Sequence, residues 1–182
     1  MSSPGTSSGR RQSAILVPVP DAEPVVGPWR QEHDPVAPAG VPAHITLIVP
    51  WLPPDEIGDD DLAELGDALD GVEPFEFSLA ATGWFARRVL YLTPAPAAPF
   101  VALTARLADR FGTPPYDDEF DEVVPHLTIG HASDGVELAS VAAALERQLP
   151  LTCRASEVWV MVGDGSTWSR RAAFPLPGRP LT

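Results

Sequence analysis

Two short segments of this chain repeat one another. Val41-Pro42-Ala43-His44-Ile45-Thr46-Leu47 and Val124-Pro125-His126-Leu127-Thr128-Ile129 share the order Val-Pro, His, aliphatic, Thr, aliphatic, with one residue inserted before the first histidine. In a β-strand, residues i and i+2 share a face. His44 and Thr46 therefore point one way while Ile45 and Leu47 point the other, and His126 with Thr128 repeats the split against Leu127 and Ile129. Each copy is a strand with an aliphatic face to bury and an imidazole and a hydroxyl to present on its other face. The copies lie 82 positions apart, too far for a solenoid period. The implied fold class is α+β: two pseudo-symmetric lobes, each with an antiparallel sheet and helices, around a central cleft.

The rest of the chain supplies elements of that kind. Ala14–Val19 is a buried strand, and Asp21 with Pro24 opens a short helix toward His33 that Pro28 interrupts. His44–Val49 is a strand, and Asp59–Asp70 is a helix with Leu62, Leu65 and Leu69 on one face. Phe75–Thr82 and Val89–Thr93 read as a hairpin turning at Gly83, and Phe100, Leu103, Leu107 and Phe111 have helical spacing. His126–Ile129 is a strand, and Asp134-Gly135-Val136-Glu137 resembles a capping box for a helix to Leu149. Leu151–Val162 and Trp168–Phe174 close as strands around Gly163–Gly165. This divides the chain into a disordered tail at 1–13, one two-lobed domain at 14–175 and a C-terminal tail at 176–182. Gly5-Thr6-Ser7-Ser8-Gly9 has the form of a nucleophile elbow, but no strand precedes it and no helix follows, so it is a chance match.

Charge narrows the function. Twenty-five acids oppose twelve bases, for a net −13. Ten of the acids fall in two clusters, Asp55, Glu56, Asp59, Asp60 and Asp61, then Asp117, Asp118, Glu119, Asp121 and Glu122. The remaining body is nearly neutral and has no basic face with which to coat long nucleic acid. All the bases are arginine, so Schiff-base chemistry, lysyl-adenylate ligation and the Walker P-loop are excluded. One cysteine, Cys153, excludes an internal disulfide framework and a multi-cysteine zinc site. No apolar run approaches the ~20 residues needed to span a bilayer. Only a six-residue apolar run follows Arg10 and Arg11, shorter than a signal-peptide core, which predicts a cytoplasmic protein without membrane partners.

Two histidines and two threonines converging in one cleft are what metal-free phosphodiester chemistry requires. One histidine takes a proton from the attacking oxygen and the other gives a proton to the leaving oxygen. The threonine hydroxyls and nearby N–H groups hold the non-bridging phosphate oxygens. In-line displacement then predicts imidazole nitrogens roughly 5–8 Å apart across one phosphorus. A single His-x-Thr on a strand is usually a structural pair; two copies in matching contexts argue for catalysis. No further metal-ligand spacing accompanies the histidines, so neither metal nor cofactor is expected.

With its paired His44-Ile45-Thr46-Leu47 and His126-Leu127-Thr128-Ile129, the chain resembles the 2H phosphoesterase superfamily, and within it the 2′-5′ RNA ligase and RNA 2′,3′-cyclic phosphodiesterase family. The resemblance covers roughly residues 14–175 and includes Gly83-Trp84-Phe85 and Arg88-Val89-Leu90-Tyr91, similar to the family's Gly-x-Phe…Arg-Val-Leu-Trp segment. It implies metal-independent opening of a 2′,3′-cyclic phosphate to a 2′-phosphomonoester, with 2′-5′ ligation as the reverse. It further implies catalytic roles for His44, Thr46, His126 and Thr128, with His44 the proton donor and His126 the acceptor; the residues alone do not order the two. Many relatives carry an arginine soon after the second motif, where this chain has Gly130-His131.

Phe85, Trp84, Arg88 and His131 are the candidate substrate-binding residues. Phe85 is a candidate platform for a base, its alternative being hairpin packing, and Trp84 alternates with it. Arg88 is one of two adjacent bases near the site. Strict alternation places His131 on the strand face opposite His126. Trp51 either walls the cleft or packs in the core, while Trp29, Trp159 and Trp168 read as core or interface residues. The acidic cluster before the second motif points to nucleotides or short RNA ends carrying a cyclic phosphate, acted on by a monomer. The alternative is a non-catalytic module using the same cleft to bind a phosphate, a nucleotide or a protein.

Overall fold

The computed structural model describes residues 10–115, 122–132 and 136–177, and of Val136 only the backbone. The Gly5–Gly9 match, Asp117, Asp118, Glu119 and Asp121, the Asp134-Gly135 start of the capping box, and all of the two tails but residues 10–13 and 176–177 lie outside the described residues.

In chain order the elements are β1 (Gln12–Pro18), a 3-10 turn (Pro20–Ala22), α1 (Glu23–His33), β2 (His44–Ile48), a second 3-10 turn (Pro54–Glu56), α2 (Asp59–Leu69), β3 (Phe75–Phe85) and β4 (Val89–Ala95). They continue with α3 (Ala98–Phe111), β5 (Leu127–His131), α4 (Val136–Glu146), β6 (Leu151–Ala155), β7 (Glu157–Gly163) and β8 (Trp168–Pro175). The strands form two four-stranded antiparallel sheets ordered β2-β1-β7-β8 and β5-β4-β3-β6. The motif strand is therefore an edge strand in both sheets, and the two orders superimpose with β2 on β5 and β1 on β4. The expected α+β, two-lobed architecture is what the chain adopts.

The repeat extends to irregularities. β1 pairs Leu16 with Thr46 and Ile15 with Ile48, so Leu47 is bulged out of the ladder. β4 pairs Tyr91 with Thr128 and Leu90 with Gly130, so Ile129 is bulged in the same place. Such a bulge admits one extra residue and increases local twist. The aliphatic faces are buried as alternation requires, with Ile45, Leu47, Leu127 and Ile129 all fully inaccessible in one core shared by both sheets. Each such side chain contributes ~1.5–3 kcal/mol from burial alone. The helices cross between halves: α1 packs on β5 and α3 packs on β2, while β2 and β5 approach within 8 Å, Cα to Cα.

Three elements differ from the sequence reading. Leu151–Val162 is not one strand: it breaks at Ser156, and β6 and β7 belong to different sheets. The β3–β4 hairpin turns over the three residues between Phe85 and Val89, where Ala86 and Arg87 take left-handed φ values of 47° and 57° and the Arg88 N–H donates to the Phe85 carbonyl at 2.9 Å. Gly83 lies inside β3 opposite Tyr91, where a Cβ would sit 2.4 Å from the tyrosine ring, so glycine there makes room for an aromatic neighbour rather than a turn. Pro28 is accommodated within α1.

Candidate active site

His44 opens β2 and His126 immediately precedes β5. Each ring is held by its own backbone: Nδ1 of His44 lies 2.8 Å from the Pro42 carbonyl, and Nδ1 of His126 lies 2.7 Å from the Val124 carbonyl. A carbonyl only accepts, so both neutral rings carry their proton on Nδ1 and leave Nε2 as the basic nitrogen. Thr46 and Thr128 follow two residues on, both half-buried, at equivalent rungs of the two ladders.

Burial pushes the His44 pKa down to about 4; the Arg30 guanidinium and His126 act in the same direction, against the Pro42 carbonyl and Asp34. His126 is lowered too, first by burial, with the Val124 carbonyl opposing and His131 adding to the fall. His126 lies within electrostatic reach of His44, and the two motif strands approach within 8 Å, Cα to Cα.

Around His126 the site is aromatic. The Phe85 ring meets it edge-to-face at 4.8 Å and stacks on Tyr91 at 4.3 Å, and Tyr91 lies 5.4 Å from the imidazole. Trp84, on the opposite face of β3, packs against the main core instead. Arg88 sits exposed in the hairpin turn, where its carbonyl accepts from the Ala132 N–H at 2.8 Å. Trp51 is core, edge-to-face with Phe111 at 5.3 Å.

His131 corrects the parity argument. Because Ile129 is bulged, Thr128 pairs with Tyr91 and His131 with Val89, two residues apart on β4 and so on one face. The bulge turns His131 to the side of Thr128 and within electrostatic reach of His126. Alternation alone could not reveal this, since one inserted residue reverses every later side chain.

The residue most consequential here and absent from the sequence reading is Arg30. It is 1% exposed on α1, and its guanidinium bonds Asp34 at 2.9 Å, the Val41 carbonyl at 3.2 Å and the Thr128 carbonyl at 3.2 Å. A trace was legible: Arg30 follows Val26 by four residues, on the inward stripe of α1, and Asp34 follows Arg30 by four. Among the described residues no three His, Cys, Asp or Glu side chains converge to hold a metal ion, and no helix is long and apolar enough to cross a membrane.

A family model for the 2′-5′ RNA ligase superfamily matches residues 17–167. Among solved structures, E. coli LigT complexed with 3′-AMP aligns with a TM-score of 0.62 at 19% identity, covering 92% of this chain and 99% of its own. TT0787 of Thermus thermophilus aligns at 0.60 and 19% identity, covering 93% and 100%. A crystal structure described as a phosphoesterase aligns at 0.58 and 17% identity, covering 93% and 100%. E. coli LigT has also been solved with NADP+ and with ATP. No curated protein matches the sequence significantly. At these identities the structural likeness establishes a shared fold.

Proposed function

The chain belongs to the 2′-5′ RNA ligase superfamily, and from that premise we propose that it opens nucleotide or RNA-end 2′,3′-cyclic phosphates to 2′-phosphates without a metal. The observation that carries this reading is the duplicated histidine, each ring tied through Nδ1 to the carbonyl two residues back, on motif strands that approach within 8 Å, Cα to Cα. Water attacks phosphorus, the P–O3′ bond breaks, one imidazole accepts the water proton, and the other protonates O3′. By family likeness His44 is the donor and His126 the acceptor. Before substrate binds, both rings are neutral at pH 7, because each pKa is lowered. A bound phosphate anion favours an imidazolium beside it, and a proton held there against burial is readily given up.

Thr46 and Thr128 are the proposed ligands of the non-bridging oxygens, His131 adds a donor on the same face, and Phe85 offers a ring for the base. LigT structures with 3′-AMP, ATP and NADP+ support a nucleotide-sized ligand for this fold. Reverse 2′-5′ ligation would use the same groups with a 5′-hydroxyl in place of water.

The test is turnover of 2′,3′-cyclic nucleoside monophosphates with EDTA present, with the product separated into 2′- and 3′-monophosphate. EDTA-resistant formation of the 2′ product supports the proposal. Loss of turnover on adding EDTA overturns the metal-free mechanism, and saturable binding without turnover identifies a binding module.

A further inference from the structure

Arg30 links the two motif strands across the lobe boundary. α1 lies in the first half of the chain yet packs on β5 of the second, and Arg30 sits between them at 1% exposure. Its Nη1 donates to the Val41 carbonyl at 3.2 Å, three residues before His44, and its Nε donates to the Thr128 carbonyl at 3.2 Å, two residues after His126. Asp34, itself 2% exposed, holds the guanidinium through Nη2 at 2.9 Å and Nε at 3.3 Å, and takes the Val36 N–H at 3.3 Å. Glu23 completes the cluster: it accepts the Ala43 N–H, adjacent to His44, and lies 3.9 Å from Arg30 Nη1.

We propose that Arg30, oriented by Asp34, is a positioning residue that sets the separation of His44 and His126 by tying the backbone of both motif strands to one rigid fork. The inference rests on the two-histidine reading above. Three observations favour it over ordinary packing. First, the guanidinium has five donors in a fixed plane, and here they reach strand β5 and the segment leading into β2 at once, which an ammonium on a flexible stem would not do. Second, α3 packs on β2 in the equivalent place, and its buried residues Phe100, Leu103, Thr104 and Leu107 include no charged side chain. Helix-on-strand packing in this fold therefore does not require an ion pair. Third, a buried pair is a costly way to hold a helix and is retained best where it specifies geometry.

The charged and titratable groups that act on His44 are Arg30 and Asp34 from the end of α1 and His126 from the second motif, and Arg30 outweighs Asp34. Replacing both members of the pair by neutral isosteres therefore raises the His44 pKa.

The experiment uses the full chain as R30M, R30K and the paired R30M/D34N, which leaves no uncompensated buried charge. Circular dichroism and thermal melting establish folding, and NMR titration of the two histidine rings together with steady-state kinetics on 2′,3′-cyclic AMP provides the readout. The expected result for R30M/D34N is kcat lowered ~10–10²-fold, the scale of misplacing catalytic groups by about an ångström, with KM within threefold. The His44 midpoint moves upward, and R30K recovers only part of kcat. A folded R30M/D34N with kcat within twofold of wild type and both histidine midpoints unmoved overturns the proposal, as does a loss confined to KM. If wild-type protein has no turnover, the phosphodiesterase reading fails, while the histidine titration still decides the coupling: an unmoved His44 midpoint overturns it. Should R30M alone not fold, the paired variant carries the test.

Discussion

His44 opens one motif strand and His126 immediately precedes the other, and the protein surrounds them differently. Both lead into an edge strand with the same bulge, both bond their own backbone through Nδ1, and both are followed by a threonine two residues on. Around His44 lie buried charges, Arg30 and Asp34. Around His126 lie aromatic rings, Phe85 and Tyr91, and a second imidazole, His131. A duplicated backbone thus holds two imidazoles of one backbone tie in two electrostatic settings. Under the proposed function, that difference in environment is what would separate their acid and base roles.

The strongest way to break the comparison is to remove each ring in turn. H44A and H126A are each expected to lower kcat on a 2′,3′-cyclic nucleotide by at least ~10²-fold. The double variant should fall little further, because groups acting as a unit are not additive. Near-full activity in either single variant would show that only one copy works.

Replacing each hydroxyl tests whether both copies touch the phosphate. T46V and T128V should each lose about 10–10²-fold in kcat, as for removal of a donor to developing charge. Unequal losses would show which copy carries more of the phosphate contact.

Among the described residues the aromatic side has no counterpart at His44, so its effect should fall on binding. F85L is expected to raise KM about fivefold or more for a nucleoside cyclic phosphate, from lost stacking of ~1–3 kcal/mol. A substrate without a base should be indifferent to the change. If both substrates suffer equally, Phe85 only packs against His126.

Acid distinguishes the two environments through stability. A histidine whose folded pKa is lowered binds fewer protons than in the unfolded chain, so its contribution is present above pH ~6.5 and is lost as pH falls toward the folded value. For His44 that window runs down to about 4. Wild type should lose on the order of 3 kcal/mol of stability across it from this group, and H44A should show a shallower acid loss in urea melts. The acid limb of kcat/KM, set by the proton acceptor His126, should lie below pH 6.5.

Much of the site could be read in the chain because its information is local. Alternation assigns Ile45, Leu47, Leu127 and Ile129 to the core and their neighbours to the other face, and all four aliphatics are fully buried. The helices at Asp59–Leu69 and Ala98–Phe111 follow their leucine and phenylalanine spacing in the same way. The Gly83 turn failed for a different reason: glycine serves equally at a left-handed position and beneath a crowding ring, and only the position of Tyr91 distinguishes them.

The sequence by itself determined that two like strands each bury one face and present a histidine and a threonine on the other, since side-chain direction follows from the two-residue period. The tertiary structure decided what meets across the strands. It split Leu151–Ala155 from Glu157–Gly163 into separate sheets, turned His131 toward Thr128 through the bulge at Ile129, and set Phe85 rather than Trp84 against His126. It also carried Arg30 from the first half onto the second motif strand. The physical reason is that periodicity specifies faces, whereas register, bulges and helix docking depend on contacts between residues far apart in the chain, here 98 positions from Arg30 to Thr128.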